Sequence, residues 1–186
     1  MKLSILICSL KNRTEQLAKL VDKLKAQSTP DVEIISNIDN GELTVGRKRN
    51  QLVAKATGEY VSFVDDDDDV SDDYVPSILK AIESGPDCVG IIGLIKLSAG
   101  AAEFYHSIQF QGWYTASDGR YFRTPNHLNP VKRSKAIQVP FPAVNYGEDQ
   151  SYSEGIKLKL KTEVMIPHPI YYYTPAIRDL QCNLLA

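Results

Sequence analysis

The chain has 186 residues, 43% of them hydrophobic, with 21 Lys and Arg against 23 Asp and Glu and a formal net charge of −2. That is enough chain and apolar content for one domain with a real core, while the lack of a basic stripe or RNA-binding signature argues against nucleic acid as a partner. No run approaches the ~20 apolar residues of a membrane span, and Cys8, Cys88 and Cys182 lie far apart without paired spacing, which reads as reduced thiols in a cytoplasmic-type compartment.

The apolar run 3–8 reads as a first strand. It is too short for a leader peptide, has no small-residue cleavage site, and Lys11 and Arg13 follow at once. Leu17, Leu20, Val21 and Leu24 fall at i, i+3, i+4 and i+7, one face of a helix, and Asn12 with Glu15 has the spacing of a capping box. A second strand spans 32–36, and a loop with Asn40-Gly41 turn chemistry spans 37–43. A helix follows over 46–56. Gly58 suits a tight turn after it, and the uncharged run 60–64 predicts a strand buried on both faces. Beyond the acids, a helix over 72–83 with Ser71 as its N-cap and a Gly-punctuated strand over 87–97 complete an alternation typical of a parallel, three-layer α/β sheet.

After residue 98 the rhythm changes. Strands are predicted over 103–110 and 112–115, with an Asp118-Gly119 hairpin turn between Tyr114 and Tyr121. A loop covers 126–130, a short element 131–136 and a helix 150–160. Two late strands, 162–166 and 170–173, are separated by Pro167-His168-Pro169. Trp113 and the neighbouring tyrosines read mainly as core. His106 and His127 have no partner visible in the sequence.

The chain centres on the five carboxylates Asp65, Asp66, Asp67, Asp68 and Asp69 at the end of the third strand. Adjacent anions repel by ~4 kcal/mol at an effective dielectric of about 20, so the run calls for a cation or a solvated turn. Alternation along an extended chain would point Asp65 and Asp67 the same way, two hard oxygen ligands suited to Mg²⁺ or Mn²⁺, at the sheet end where open α/β folds bind ligands. An EF-hand loop is excluded, because Val70 and Pro76 stand where Gly and Glu are needed.

Four stretches together resemble family 2 glycosyltransferases of the GT-A type: the strand and polar loop 5–13; Gly46-Arg47-Lys48-Arg49-Asn50 before Ala56-Thr57-Gly58-Glu59-Tyr60; Phe63-Val64-Asp65-Asp66-Asp67-Asp68; and Gly147-Glu148-Asp149. The resemblance implies an α/β three-layer sandwich with a mostly parallel central sheet, Rossmann-like over 1–97, and a smaller mixed β acceptor-side half over 98–186, the whole a single domain. It implies an inverting transfer from a nucleotide-diphosphate sugar, a UDP-sugar foremost, to a hydroxyl of a glycan or other acceptor. Asp65 and Asp67 would hold a divalent metal, Mn²⁺ or Mg²⁺, with His168 completing the metal or diphosphate shell. Asp66 would lie near the ribose, Asp39 would accept from the uracil ring, Ser9 would contact the nucleoside, and Arg49 would sit near the base or phosphates. Asp149 corresponds to the general base, and Glu148 would orient the acceptor. Cys8 and Leu10 stand where the family has a Pro and an aromatic. The rival readings are a nucleotide-sugar-binding module without catalysis and a metal-dependent phosphohydrolase or nuclease. A Walker ATPase is excluded, since residues 46–49 lack the second Gly and the hydroxyl.

Overall fold

A computed structural model describes residues 1–97 and 100–175; Cys182 lies outside them. β1 (Leu3–Leu10) is the apolar run at the N-terminus. It is followed by a 3₁₀ turn, Lys11–Arg13, and α1 (Thr14–Gln27). The Asn12–Glu15 capping box does not form: Asn12 is inside the 3₁₀ turn, and the Thr14 hydroxyl donates to the Lys11 carbonyl at 2.6 Å. β2 (Val32–Asp39) runs three residues further than its apolar part, so Asp39 ends the strand instead of following it. α2 (Val45–Lys55) and β3 (Tyr60–Phe63) come next, and every residue of β3 is buried, as its uncharged sequence requires. Gly58 is not a left-handed turn residue. It lies so close to β1 that a Cβ there would meet the Ser4 nitrogen and hydroxyl at 2.6 Å.

β4 (Asp69–Val70) precedes α3 (Tyr74–Ala81), which is shorter than its sequence suggested and is capped differently. The Ser71 hydroxyl donates to Asp73 at 2.6 Å instead of accepting from the helix, and the Gln27 side chain at the end of α1 accepts from the Val75 amide at 3.0 Å. β5 (Cys88–Leu97) and β6 (Gly100–His106) form a long antiparallel pair. β6 ends four residues early because Glu163 takes the Ser107 hydroxyl and the Ile108 amide, at 2.6 and 2.9 Å, and turns the chain out of the sheet. β7 (Tyr114–Thr115) and β8 (Tyr121–Arg123) make the expected hairpin. After them come β9 (Val131–Lys132), α4 (Arg133–Ala136), α5 (Glu148–Lys157) and β10 (Glu163–Tyr173). The two late strands of the sequence reading are thus one strand. Pro167 and Pro169 have no amide to offer the ladder, so the pairing with β5 shifts register on both sides of Pro169 without ending.

The sheet order is β2-β1-β3-β9-β5-β6-β8-β7, with β10 on β5 and β4. β2, β1 and β3 are parallel, as are β5 with β10 and β6 with β8. β9 lies antiparallel between β3 and β5. The two faces of β1 divide the core. Leu3, Ile5 and Ile7 pack with Leu17, Leu20 and Leu24 of α1 and Tyr74, Val75 and Ile78 of α3. Leu6 packs with Leu52 and Val53 of α2 and Tyr152 and Ile156 of α5. Helices on both faces make the three layers. Among the described residues no helix is long and apolar enough to cross a membrane.

Candidate active site

The carboxylate run follows the end of β3, and it is not extended. Residues 65–68 close a turn in which the Asp68 amide donates to the Asp65 carbonyl at 3.2 Å. The period-two argument therefore fails, and Asp65 and Asp67 find different partners. Asp65 faces Arg49 Nη2 and His127 Nε2, each at 3.2 Å. Asp66 accepts from the Ser9 hydroxyl at 2.6 Å and from Arg13 at 2.7 Å, and Asp67 shares the same Arg13 nitrogen at 3.1 Å. Asp68 accepts from the Tyr171 hydroxyl at 2.7 Å and the Thr174 amide at 2.9 Å, and Asp69 takes Lys23 at 2.9 Å. Protein cations and donors thus relieve much of the repulsion for which the sequence called on a cation or a solvated turn. Burial opposes ionisation of Asp65, yet His127 and Arg49 hold its carboxyl well below the usual range. Burial and the neighbouring Asp65 push Asp68 the other way, up to about 8.

α2 turns two cations inward. Lys48 donates to the Ser9 carbonyl at 2.8 Å and pairs with Asp39. Arg49 is buried between the rings of Phe63 and Phe141, 5.6 and 5.5 Å from their centres, and donates to Glu148 at 2.7 Å as well as to Asp65. One guanidinium therefore spans from the acidic turn to the start of α5. Burial raises the Glu148 carboxyl against the pull of Arg49. The next residue, Asp149, accepts from the Gln150 amide at 2.8 Å. The loop before α5 is held on α2: the Gly46 amide donates to the Val144 carbonyl at 3.1 Å and the Val45 amide to Asn145 at 3.0 Å. Only glycine permits this approach, because a Cβ on Gly46 would stand 1.8 Å from the Pro142 carbonyl oxygen.

These groups line one cleft of about 690 Å³. Of the residues singled out in the sequence, Ser9, Arg49, Asp65, Asp66, Asp67, Glu148 and Asp149 lie on its wall. Asp39 stands behind the wall, its carboxylate taken by Lys48 and by the Gly41 and Leu43 amides at 3.0 and 2.8 Å. His168 is not brought to the acids near the metal expectation. It sits in the irregular part of β10 and pairs on the surface with Asp73 at 2.8 Å. The histidine on Asp65 is instead His127, from a loop whose carbonyl accepts the Phe63 amide at 3.0 Å. A signal for this loop was present: Pro125 and Pro130 enclose Asn126 and Asn129, and both amide side chains cap the turn, accepting from the Leu128 and Asn126 amides. Trp113, read as core, is half-buried and lines the cleft.

His106 is buried at the cleft floor. Burial, helped by Arg123 and His127, lowers its pKa from 6.5 to about 3. The folded protein therefore takes up this proton only near pH 3, whereas the unfolded chain takes it up near 6.5. The stability due to neutral His106 is complete above pH 6.5 and is lost as pH falls from there toward 3, at up to ~1.4 kcal/mol per pH unit. Urea unfolding between pH 6.5 and 4.5 is expected to show the parent losing stability relative to His106→Phe by up to this slope; equal slopes would refute it.

Asp67 is the side chain of the turn that could take a divalent ion. Asp67 is the most open of the turn carboxylates, and burial together with Asp65 and Asp66 raises its pKa despite Arg13. A cation would relieve that strain. Among the described residues no three His, Cys, Asp or Glu side chains form a ready cage. Mg²⁺-type sites commonly use one or two carboxylates and take the remaining oxygens from substrate phosphates.

A family model described as Glycosyl transferase family 2 matches residues 38–139, more than half of the chain. Among solved structures, S. aureus TarS 1–349 in complex with UDP-GlcNAc superposes with a TM-score of 0.68 at 18% identity, covering 95% of this chain and 59% of that one. The same protein in complex with UDP gives 0.67 at 18% identity, with 97% and 62% covered. A longer S. aureus TarS structure gives 0.66 at 18% identity, with 97% and 38% covered. The chain thus spans about three fifths of TarS 1–349, and the likeness bears out the GT-A-type α/β sandwich. No curated protein matches the chain.

Proposed function

Because the chain belongs to glycosyl transferase family 2, we propose that its cleft moves a sugar from a nucleotide-diphosphate donor, in the first place a UDP-sugar, to an acceptor hydroxyl with inversion at the anomeric carbon. One observation carries this reading: Arg49 ties Asp65 of the acidic turn to Glu148 beside Asp149, at 3.2 and 2.7 Å, so the two acidic motifs face a single cleft. The UDP and UDP-GlcNAc bound by the TarS structures support a uridine donor.

Asp67, with Asp65, would hold Mn²⁺ or Mg²⁺, which when bound supplies Lewis-acid stabilisation of the departing diphosphate. Asp66, fixed by Ser9 and Arg13, keeps lone pairs for a ribose hydroxyl. Asp39 serves the donor through Lys48, whose ammonium it orients at the cleft wall. Arg49 is a positioning residue that aligns Asp65 and Glu148. Asp149 takes the proton of the acceptor hydroxyl, and attack from the face opposite the leaving group inverts the centre.

A thermal-shift panel of nucleoside diphosphates with and without Mn²⁺ or Mg²⁺ tests the reading. UDP with metal is expected to stabilise the fold by ~2.7 kcal/mol at a hundredfold excess over its dissociation constant. A melt that no nucleoside diphosphate moves would overturn it.

A further inference from the structure

Four cationic side chains line the cleft: Arg13, Lys48, Arg49 and Arg123. Carboxylates match three of them: Asp66 and Asp67 for Arg13, Asp39 for Lys48, Asp65 and Glu148 for Arg49. Arg123 has no ion-pair partner among the described residues. Its Nη1 reaches only the Tyr114 and Phe122 carbonyls, at 3.5 and 3.4 Å, the weak end of hydrogen bonding. Yet the residue is half-buried, with its guanidinium 4.8 Å from the centre of the Trp113 ring and 5.6 Å from that of Tyr121. Burial weighs against its charge, and Tyr121 and Asp149 counteract that.

Trp113 in turn is fixed. Its indole N–H donates to Thr124 at 3.1 Å and to Ser153 at 3.2 Å, both buried, and Ser153 is one helical turn beyond Asp149 on α5. A pre-oriented guanidinium outside any ion pair therefore faces the cleft from β8, next to the helix that carries Asp149. A partly desolvated cation with no carboxylate in direct contact costs free energy, and a planar guanidinium fork matches phosphate or carboxylate with two parallel bonds.

We propose that Arg123 and Trp113 form the acceptor subsite, and that the acceptor is a saccharide carrying a phosphate or carboxylate close to the hydroxyl that is glycosylated. The assignment to the acceptor rests on the transferase reading above. The donor diphosphate has its seat at the acidic turn, while Arg123 belongs to β8, paired with His106 of β6 beside α5.

Trp113 is the chain's single tryptophan, so its fluorescence reads this place alone. The experiment titrates the whole protein, as parent, Arg123→Gln and Arg123→Lys, with glucose 6-phosphate, glucuronate and glucose, in the presence and absence of UDP with Mn²⁺. Circular dichroism melts check that both variants fold. Saturable changes are expected with one or both anionic sugars and none with glucose at the same concentration; the preferred anion shows whether phosphate or carboxylate is recognised. Arg123→Gln should weaken that binding at least tenfold, and Arg123→Lys, which keeps charge but not the fork, by less. Equal responses to glucose and glucose 6-phosphate, or an unchanged affinity in Arg123→Gln, overturn the proposal. So does competition between UDP and the anionic sugar, which would put the anion in the donor's seat. The two readings fail separately: a melt unmoved by UDP and metal removes the transferase reading, while a tenfold Arg123→Gln effect still supports the anion site.

Discussion

Replacing Arg49 by Met is expected to destabilise the protein by about 3–5 kcal/mol, the range for removing one partner of a buried charge pair. The guanidinium is enclosed by Phe63, Phe141, Asp65 and Glu148, and it is the only partner that Glu148 has in an ion pair among the described residues. Without it, Glu148 keeps a buried carboxylate with no cation, whereas Asp65 retains His127 and partial exposure. The larger share of the loss should therefore trace to Glu148. Adding Glu148→Gln to Arg49→Met is expected to recover at least ~1 kcal/mol, a coupling characteristic of side chains in contact. Urea titration of the parent, the single variants and the double variant measures both quantities. A single-variant loss under ~1 kcal/mol would mean that the bridge does not hold the cleft together.

Asp149→Asn is expected to act in the opposite sense, with a large loss of rate and little loss of fold. The side chain accepts one local hydrogen bond, from the Gln150 amide, and the Asn carbonyl can accept the same one. What the amide cannot do is take a proton from a hydroxyl, and general-base catalysis contributes about 10²–10⁴-fold. Single-turnover transfer should fall by that factor while the melt shift produced by UDP and metal is unchanged. Transfer at the parent rate would remove Asp149 from the mechanism. A lost melt shift would show that the residue belongs to donor binding.

The legible parts of the chain are those whose signal is local. Continuous apolar runs announced β1, β3 and β5, and a helical stripe announced α1. The acidic run marked the sheet end at which the cleft opens, and Gly147-Glu148-Asp149 marked its far wall. What escaped depends on pairings across the chain. Asp65 meets His127 across 62 residues, and Arg49 meets Glu148 across 99, separations at which spacing carries no information. The alternation argument for Asp65 and Asp67 failed because it holds only for extended backbone and residues 65–68 form a turn, although both side chains line the cleft. His168 entered only through the resemblance, and its place could not be read locally: Pro167 and Pro169 shift the ladder of β10 there, and the ring pairs with Asp73 at the surface.

The position of β9 bears on how the protein is made. β3 and β5 do not touch as neighbours. The two-residue strand Val131–Lys132 fills the space between them, with Val131 opposite both Val61 and Cys88. On the ribosome, the first three strands emerge and can zip in parallel, but the sheet stays open at its middle until Val131 and Lys132, about 35 residues beyond Leu97 at the end of β5, have been synthesised and fold back. That late insertion closes a long loop before its contacts repay the entropy. A nascent chain halted shortly after β5 would thus leave β5 and the facing edge of β3 unpaired, the kind of surface on which chaperones and aggregation compete.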